Sequence, residues 1–159
     1  MSKLEKEEGS EENLKVKFII IPKLLKFNNK KFHEIIMNCK ETLEGLEIKD
    51  DLENTGTAKF LQDGLKQLKA LKRLKVFDLQ RVGVIKGAHS SLESIEMQCA
   101  YYMEPRMSQE DLIDIFMDKN PGFTLIFRKF KFHSLTEEKA LKVLEAFPEK
   151  MLKIESELK

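Results

Sequence analysis

The sequence predicts an α/β solenoid with parallel strands on one face and helices on the other. Short apolar segments that look like strands alternate along the chain with segments of helical spacing. Three strand-like segments share the pattern apolar-x-x-apolar-x-apolar: LEGLEI (43–48), LKVFDL (74–79) and LESIEM (92–97). Neither a short strand nor a single helix buries its apolar side alone, so stacking of consecutive units is the expected way to form a core.

The intervals between these segments also indicate a repeat. Leu43 and Leu74 lie 31 residues apart (74 − 43 = 31), and so do Leu92 and Phe123 (123 − 92 = 31). The step between Leu74 and Leu92 is only 18 residues (92 − 74 = 18) and coincides with a stretch that has no helical pattern. Units of roughly 20–29 residues are typical of leucine-rich repeats, so these units are slightly long and irregular.

The first half of the folded region is predicted to contain two capped helices. Residues 1–13 are predicted to be a disordered charged tail, which leaves 14–159 as the repeat domain or a fragment of one. Apolar alternation predicts a strand within 16–27, Asn29 or the residue before it caps the first helix, and Thr57 caps the second. The predicted apolar stripes are Phe32, Ile35, Ile36 and Cys39 in the first helix and Phe60, Leu61, Leu65, Leu68 and Leu71 in the second.

The second half is predicted to contain two more helices and two strands. Ser108 begins a helix with an S-x-x-D capping sequence, and Asn-Pro-Gly at 120–122 ends it. Aromatic and β-branched residues predict a strand over 123–132, Thr136 caps the fourth helix, and a last short strand covers 151–154. The predicted stripes are Leu112, Ile115 and Phe116 in the third helix and Leu141, Leu144 and Phe147 in the fourth.

The charge balance makes nucleic acid an unlikely partner. The chain has 28 Lys+Arg and 27 Asp+Glu, a formal net charge of +1, whereas binding through bulk charge needs a clear basic excess. Phe127, Phe130 and Phe132 interleave with basic residues, as in an RNA-recognition strand, but the glycine of that motif is missing. The preferred interpretation is a core strand, and a weak nucleic-acid-binding domain stays as an alternative.

No catalytic residue, metal site or cofactor is predicted. Cys99 and His89 lack the third residue and the Gly-rich elbow of a nucleophilic site. The isolated thiols of Cys39 and Cys99 suit a reduced compartment, so the expected location is cytoplasmic or nuclear. The longest apolar run, 18–21, is far too short to span a bilayer, so no membrane partner is expected. A small α/β enzyme of unknown reaction is the other alternative.

Three stretches resemble the leucine-rich repeats of F-box proteins of the cysteine-containing type. They are NCKETLEGLEI (38–48), SSLESIEMQCA (90–100) and a longer stretch, 120–148. In that family a sequence similar to the Leu-Thr-Glu-Glu at 135–138 opens a helix, and a turn similar to Asn120-Pro121 precedes an L-x-x-L-x-L strand. The resemblance covers about residues 16–153.

The resemblance implies a leucine-rich-repeat solenoid of the RNI-like type, which works as a protein-interaction module. It further implies a place in the substrate-recognition part of an F-box-type ubiquitin ligase receptor, with ubiquitin-ligase subunits among the partners. No Leu-Pro-led helical trio typical of an F-box precedes the repeats. We therefore expect a repeat region, or a fragment of one, without its ligase-docking module.

The open side of the sheet is the predicted binding surface. Positions between the apolar ones face away from the core. Their composition predicts an acidic sheet face opposite a Lys-rich helix face at 66–75, which would favour a basic protein partner. An ordinary solvated surface is the alternative interpretation. The predicted partner-binding residues are Glu44, Glu47, Asp78, Glu93 and Glu96, of which Glu47, Asp78 and Glu96 occupy the fifth position of the pattern.

Overall fold

The protein is an α/β structure with one six-stranded, all-parallel sheet. The computed structural model describes residues 16–21, 29–49, 62–77, 85, 88, 91–98, 107–117, 119–128 and 135–155. The predicted tail, the Thr57 cap and Asp78 lie outside these residues. The elements are β1 (Phe18–Ile21), α1 (Asn29–Cys39), β2 (Gly45–Ile48), β3 (Arg73–Phe77), β4 (Ser94–Gln98), α2 (Gln109–Phe116), β5 (Thr124–Arg128), α3 (Glu137–Glu145) and β6 (Met151–Glu155).

The strands lie in the sheet in the order in which they occur along the chain. Each strand pairs in parallel with the one before it, so the segments around Leu46, Phe77 and Ile95 are parallel and adjacent, as predicted. A parallel pair needs a crossover that returns the chain to the same end of the sheet. Sequential order with such crossovers is compatible with a solenoid-like α/β fold.

The core lies on one side of this sheet. Every second strand residue is buried there, and the buried residues of the helices belong to the same cluster. This alternation is the signature of a sheet that is covered on one face. The strands contribute Leu46, Ile48, Leu74, Val76, Ile95, Met97, Leu125 and Phe127, and the helices contribute Ile36, Cys39, Leu112, Ile115, Phe116, Ala140 and Val143.

The prediction for the third strand was wrong by three residues. Glu47 pairs with Lys75, so the segment equivalent to LEGLEI is 71–76 (LKRLKV) rather than 74–79. The apolar residues of 71–76 are all buried, whereas Phe77 is half-buried on the opposite side. The two patterns overlap in the sequence, and the pairing with β2 selects between them.

The corrected register makes the strand spacing more even. The central apolar positions of successive strands lie 27, 28, 21, 30 and 27 residues apart, in place of the 31, 18 and 31 expected from the sequence. These spacings are close to the unit lengths typical of leucine-rich repeats. The positions are Ile19, Leu46, Leu74, Ile95, Leu125 and Leu152.

Local capping signals define the starts of two helices, as predicted. At α2 the Ser108 Oγ accepts from the Asp111 amide at 3.1 Å, and the Asp111 carboxylate accepts from the Ser108 amide at 2.9 Å. At α3 the Thr136 hydroxyl accepts from the Lys139 amide at 3.1 Å. Both arrangements satisfy amides that the first turn of a helix leaves without a backbone partner.

Two predicted helical stripes need correction. In α3 the buried residues are Ala140 and Val143, while Leu141 is exposed, because the face that meets the core follows the 140, 143, 144 and 147 spacing. In the second predicted helix, only 62–65 is helical within the described residues. Leu68 and Leu71 are buried, but they lie in the turn and the extended segment that lead into β3.

Candidate partner-binding surface

We call the side of the sheet opposite the core the open face. Its positions form three rows across the strands. In register, the first row holds Phe18, Gly45, Arg73, Ser94, Thr124 and Met151, the second holds Ile20, Glu47, Lys75, Glu96, Ile126 and Lys153, and the third holds Phe77, Gln98, Arg128 and Glu155, with Lys49 directly after β2.

The acidic column expected from the sequence is not formed. Glu47 and Glu96 both lie in the second row of the open face, but Lys75 separates them because β3 lies between β2 and β4. Asp78, the third member of the expected column, lies outside the described residues, and the structure gives its position in that column to Lys75. The middle of the open face therefore alternates in charge.

Glu44 and Glu93 lie just before β2 and β4 and do not belong to the three rows. The carbonyl oxygen of Glu44 accepts from the amides of Lys72 and Arg73 at 2.8 and 3.0 Å, and that of Glu93 accepts from the Thr124 amide at 2.9 Å. These two residues thus join the starts of neighbouring strands through their backbones. The Glu44 carboxylate also lies 3.7 Å from the ammonium of Lys17.

Both open-face glutamates have basic partners. Arg128 Nε donates to Glu96 Oε2 at 2.7 Å, and Lys75 Nζ lies 3.4 Å from the same oxygen. Lys49 Nζ lies 3.7 Å from Glu47 Oε2. The two glutamate side chains are 18–19% exposed, whereas their basic partners are 32–47% exposed. An approaching molecule therefore meets more of the basic groups than of the carboxylates.

The open face has an excess of basic residues. Its ionisable positions are five basic and three acidic, with Glu155 included by its register with Arg128. The sequence prediction omitted the basic positions because the misplaced third strand gave Asp78 the place of Lys75. The correct register was the signal needed to find them. The basic residues are Lys49, Arg73, Lys75, Arg128 and Lys153.

The β1 end of the open face is apolar. Phe18 and Ile20 are 51% and 49% exposed, although both belong to a regular strand. The Phe18 ring lies across Gly45, because a Cβ atom at Gly45 would fall 2.3 Å from the ring Cδ1. The sequence did not reveal this patch, since the continuous run Phe18–Ile21 shows no alternation that distinguishes a buried side from an exposed one.

The features considered for chemistry do not meet on the open face. Cys39 is buried on α1, its thiol donates to the Ile35 carbonyl at 3.0 Å, and burial raises its pKa to about 11. Phe127 is in the core, where it cannot stack on a nucleic-acid base. Cys99 and His89 lie outside the described residues. Within the described ranges, no three His, Cys, Asp or Glu side chains come together as a metal site would require.

Comparisons with protein-family models, curated proteins and solved structures find no match to this chain. Among the helices that the structure describes, none has the length and apolar character needed to cross a membrane.

Proposed function

We propose that this chain is a protein-interaction module of the leucine-rich-repeat type and that it binds a protein partner on the open face. The main support is the one-sided sheet, in which helices cover one face of six consecutive parallel strands. Repeat proteins present extended surfaces of this kind to their partners. The proposed role is binding rather than catalysis, in the cytoplasm or the nucleus.

The leucine-rich-repeat assignment is supported by pattern and spacing together. In the corrected register, Leu43, Leu71 and Leu92 take the first apolar position of three successive strands, and all three are buried. The even strand spacing agrees with a stacked unit of one strand and one connecting segment. A stack of such units buries apolar surface that no unit covers alone.

The apolar patch of Phe18 and Ile20 provides the sharpest test of this function. The variant Phe18→Ser/Ile20→Ser should lose partners that the unchanged protein captures from a cell extract, as measured by affinity purification and mass spectrometry. The matched control is Met117→Ser/Leu141→Ser, which removes two apolar side chains of similar exposure, 50% and 46%, from helix-side positions. The control should keep the same partners, because neither residue belongs to the open face.

The result of this comparison decides the proposal. Loss of the same partners from both variants, with both still folded by circular dichroism, would count against the open face as the binding surface. Retention of every partner by Phe18→Ser/Ile20→Ser would do so as well.

The proposed link to ubiquitin ligases is supported by the sequence resemblance alone. If the chain acts as a substrate-recognition part of an F-box-type receptor, ligase subunits should be recovered with the unchanged protein and with both serine variants. A reproducible set of partners without any ligase subunit would remove this link and leave the interaction module intact.

A further inference from the structure

We propose that the partner presents an acidic segment that carries a large apolar side chain. The acidic residues would lie over the basic positions of the open face, and the apolar side chain would lie on Phe18 and Ile20. This inference rests on the proposed function, because it names the chemistry of the molecule that the open face binds.

The first support is the accessible charge. Glu47 and Glu96 are held by Lys49, Lys75 and Arg128 and are the least exposed members of these ion pairs. A carboxylate that approaches the open face therefore meets Lys and Arg nitrogens before it meets a carboxylate. A basic partner would face the opposite arrangement, and like charges at an interface are unfavourable.

Two basic residues have no carboxylate within ion-pair distance among the described residues. Arg73 and Lys153 are exposed on the open face, and none of the ion pairs in the described part of the chain involves either one. Their charges are the ones that a partner's carboxylates would neutralise without first breaking an existing pair. They lie on β3 and β6, so the basic surface extends over much of the width of the sheet.

The second support is the position of the apolar patch beside the charges. Phe18 lies over Gly45, and Gly45 pairs in register with Arg73 on the next strand. Neighbouring strands are about 4.8 Å apart, so the Phe18 and Arg73 backbones are roughly 10 Å apart across the sheet. A short segment of partner chain spans that distance, with an apolar residue at one end and an acidic residue at the other.

The open face fits a protein better than a nucleic acid. Glu47 and Glu96 occupy the middle row, where a regularly charged phosphate backbone would have to pass over them. The exposed apolar residues at the β1 end include the aliphatic Ile20, which offers no ring for base stacking. Large apolar anchors beside charged groups are typical of protein–protein interfaces.

An unbiased selection tests the chemistry of the partner. A phage-displayed library of short random peptides is selected on the unchanged full chain and counter-selected on Phe18→Ser/Ile20→Ser. We expect the enriched peptides to be acidic and to contain a large apolar residue. Enrichment of basic or uncharged peptides that still need Phe18 and Ile20 would overturn this inference but keep the proposed function. No enrichment dependent on these two residues would count against both.

Charge reversal then tests the basic residues directly. Binding of a synthetic Glu-rich peptide that contains Leu and Phe is measured by fluorescence anisotropy. The variant Lys49→Glu/Arg73→Glu/Lys153→Glu changes three exposed open-face residues and leaves the partners of Glu96 in place. We expect roughly tenfold slower association and a weaker dependence on salt.

The control has the same change in net charge away from the open face. Lys66→Glu/Lys69→Glu/Lys142→Glu alters three exposed residues, of which the first two follow the 62–65 helical turn and the third lies on α3. This variant should bind the peptide within about twofold of the unchanged protein, because long-range charge alone is largely screened at physiological salt. Equal loss in the two charge variants would overturn the inference.

Two other occupants are excluded or revealed by the same materials. A single-stranded RNA oligonucleotide that binds more tightly than the acidic peptide, and is lost in the open-face variant, would overturn the protein assignment. A dimer in analytical ultracentrifugation that Phe18→Ser/Ile20→Ser converts to a monomer would assign the patch to a second copy of the chain. Circular dichroism and urea unfolding confirm that each variant is folded.

Discussion

The two faces of the sheet use the same strands for different purposes. On the covered face every strand from β2 to β5 contributes apolar residues that are almost completely buried. On the open face the composition changes across the sheet, from Phe18 and Ile20 on β1 to alternating charges on β2, β3 and β4. Uniform composition indicates a shared packing requirement, whereas the gradient indicates that individual positions are available for recognition.

The contrast predicts where substitutions affect stability and where they affect binding. Burial of apolar area is the main favourable contribution to folding, so it should be concentrated on the covered face. Open-face residues have lost less water-accessible area and contribute less to the free energy of unfolding. Adjacent residues of one strand can therefore differ widely in their effect.

The largest expected effect is at a pair of neighbours on β5. Leu125→Ala should lower the free energy of unfolding by about 2–5 kcal/mol, because Leu125 is completely buried and its truncation leaves a cavity. Ile126→Ala, one residue away on the open face, should cost less than about 1 kcal/mol. Urea unfolding measures both values, and similar losses would contradict the assignment of the two faces.

The next effect concerns the buried thiol of Cys39. Because burial raises its pKa from 9.0 to about 11, only about 1% of this thiol is ionised at pH 9, compared with half of an ordinary thiol. Alkylation by iodoacetamide at pH 9 should therefore be roughly fifty-fold slower in the folded protein than in urea. The measurement uses a Cys99→Ser background, so that one thiol reacts.

The same pKa difference has a defined sign for stability. The neutral thiol is favoured in the folded state, so its contribution to the free energy of unfolding is complete below pH 9. The contribution is lost as the pH rises through 11, because the unfolded thiol ionises first. Cys39→Ala should abolish this part of the pH dependence, and equal alkylation rates with and without urea would show that the thiol is accessible.

A smaller effect is expected where Phe18 crosses Gly45. Gly45→Ala should cost about 1 kcal/mol, because the new methyl group takes the space of the ring and displaces Phe18 from the strand surface. In a Phe18→Ala background the same substitution should be neutral or slightly stabilising, since Ala loses less conformational freedom than Gly in a strand. A double-mutant cycle by urea unfolding measures the coupling, and a value near zero would separate the two residues.

The smallest effect is expected from the charges of the open face. Glu96→Gln should lower the free energy of unfolding by about 0.5–1 kcal/mol, since it weakens interactions with both Arg128 and Lys75. Glu47→Gln should cost less, because its only ion pair in the described part of the chain is the 3.7 Å contact with Lys49. Both losses should shrink in high salt, and an effect that is independent of salt would indicate a packing role.

The comparison of β3 with its neighbours shows how far the sequence could lead. The apolar residues of β2 and β4 were assigned correctly because each strand carries one unambiguous pattern. Before and within β3, Leu71, Leu74, Val76 and Phe77 allow two overlapping patterns three residues apart. Strand pairing settles the choice, and it depends on hydrogen bonds to strands that are distant in sequence.

The candidate surface was recovered only in part for the same reason. Glu47 and Glu96 were placed on the open face correctly, because their own strands were read correctly. Arg73 and Lys75 were missed because a shift of three residues changes which side chains share a row and a face. The expected acidic surface thus became one with a basic excess, although only a single strand was misplaced.

The sequence by itself determined the features that depend on near neighbours. Apolar spacing predicted the strands, the Ser108 and Thr136 caps defined two helix starts, and parallel strands followed from the alternation of elements. The tertiary structure decided the register of β3, the exposure of Phe18 and the charge of the open face. Those properties depend on contacts between strands roughly 20 to 30 residues apart, and local propensity carries no information about such contacts.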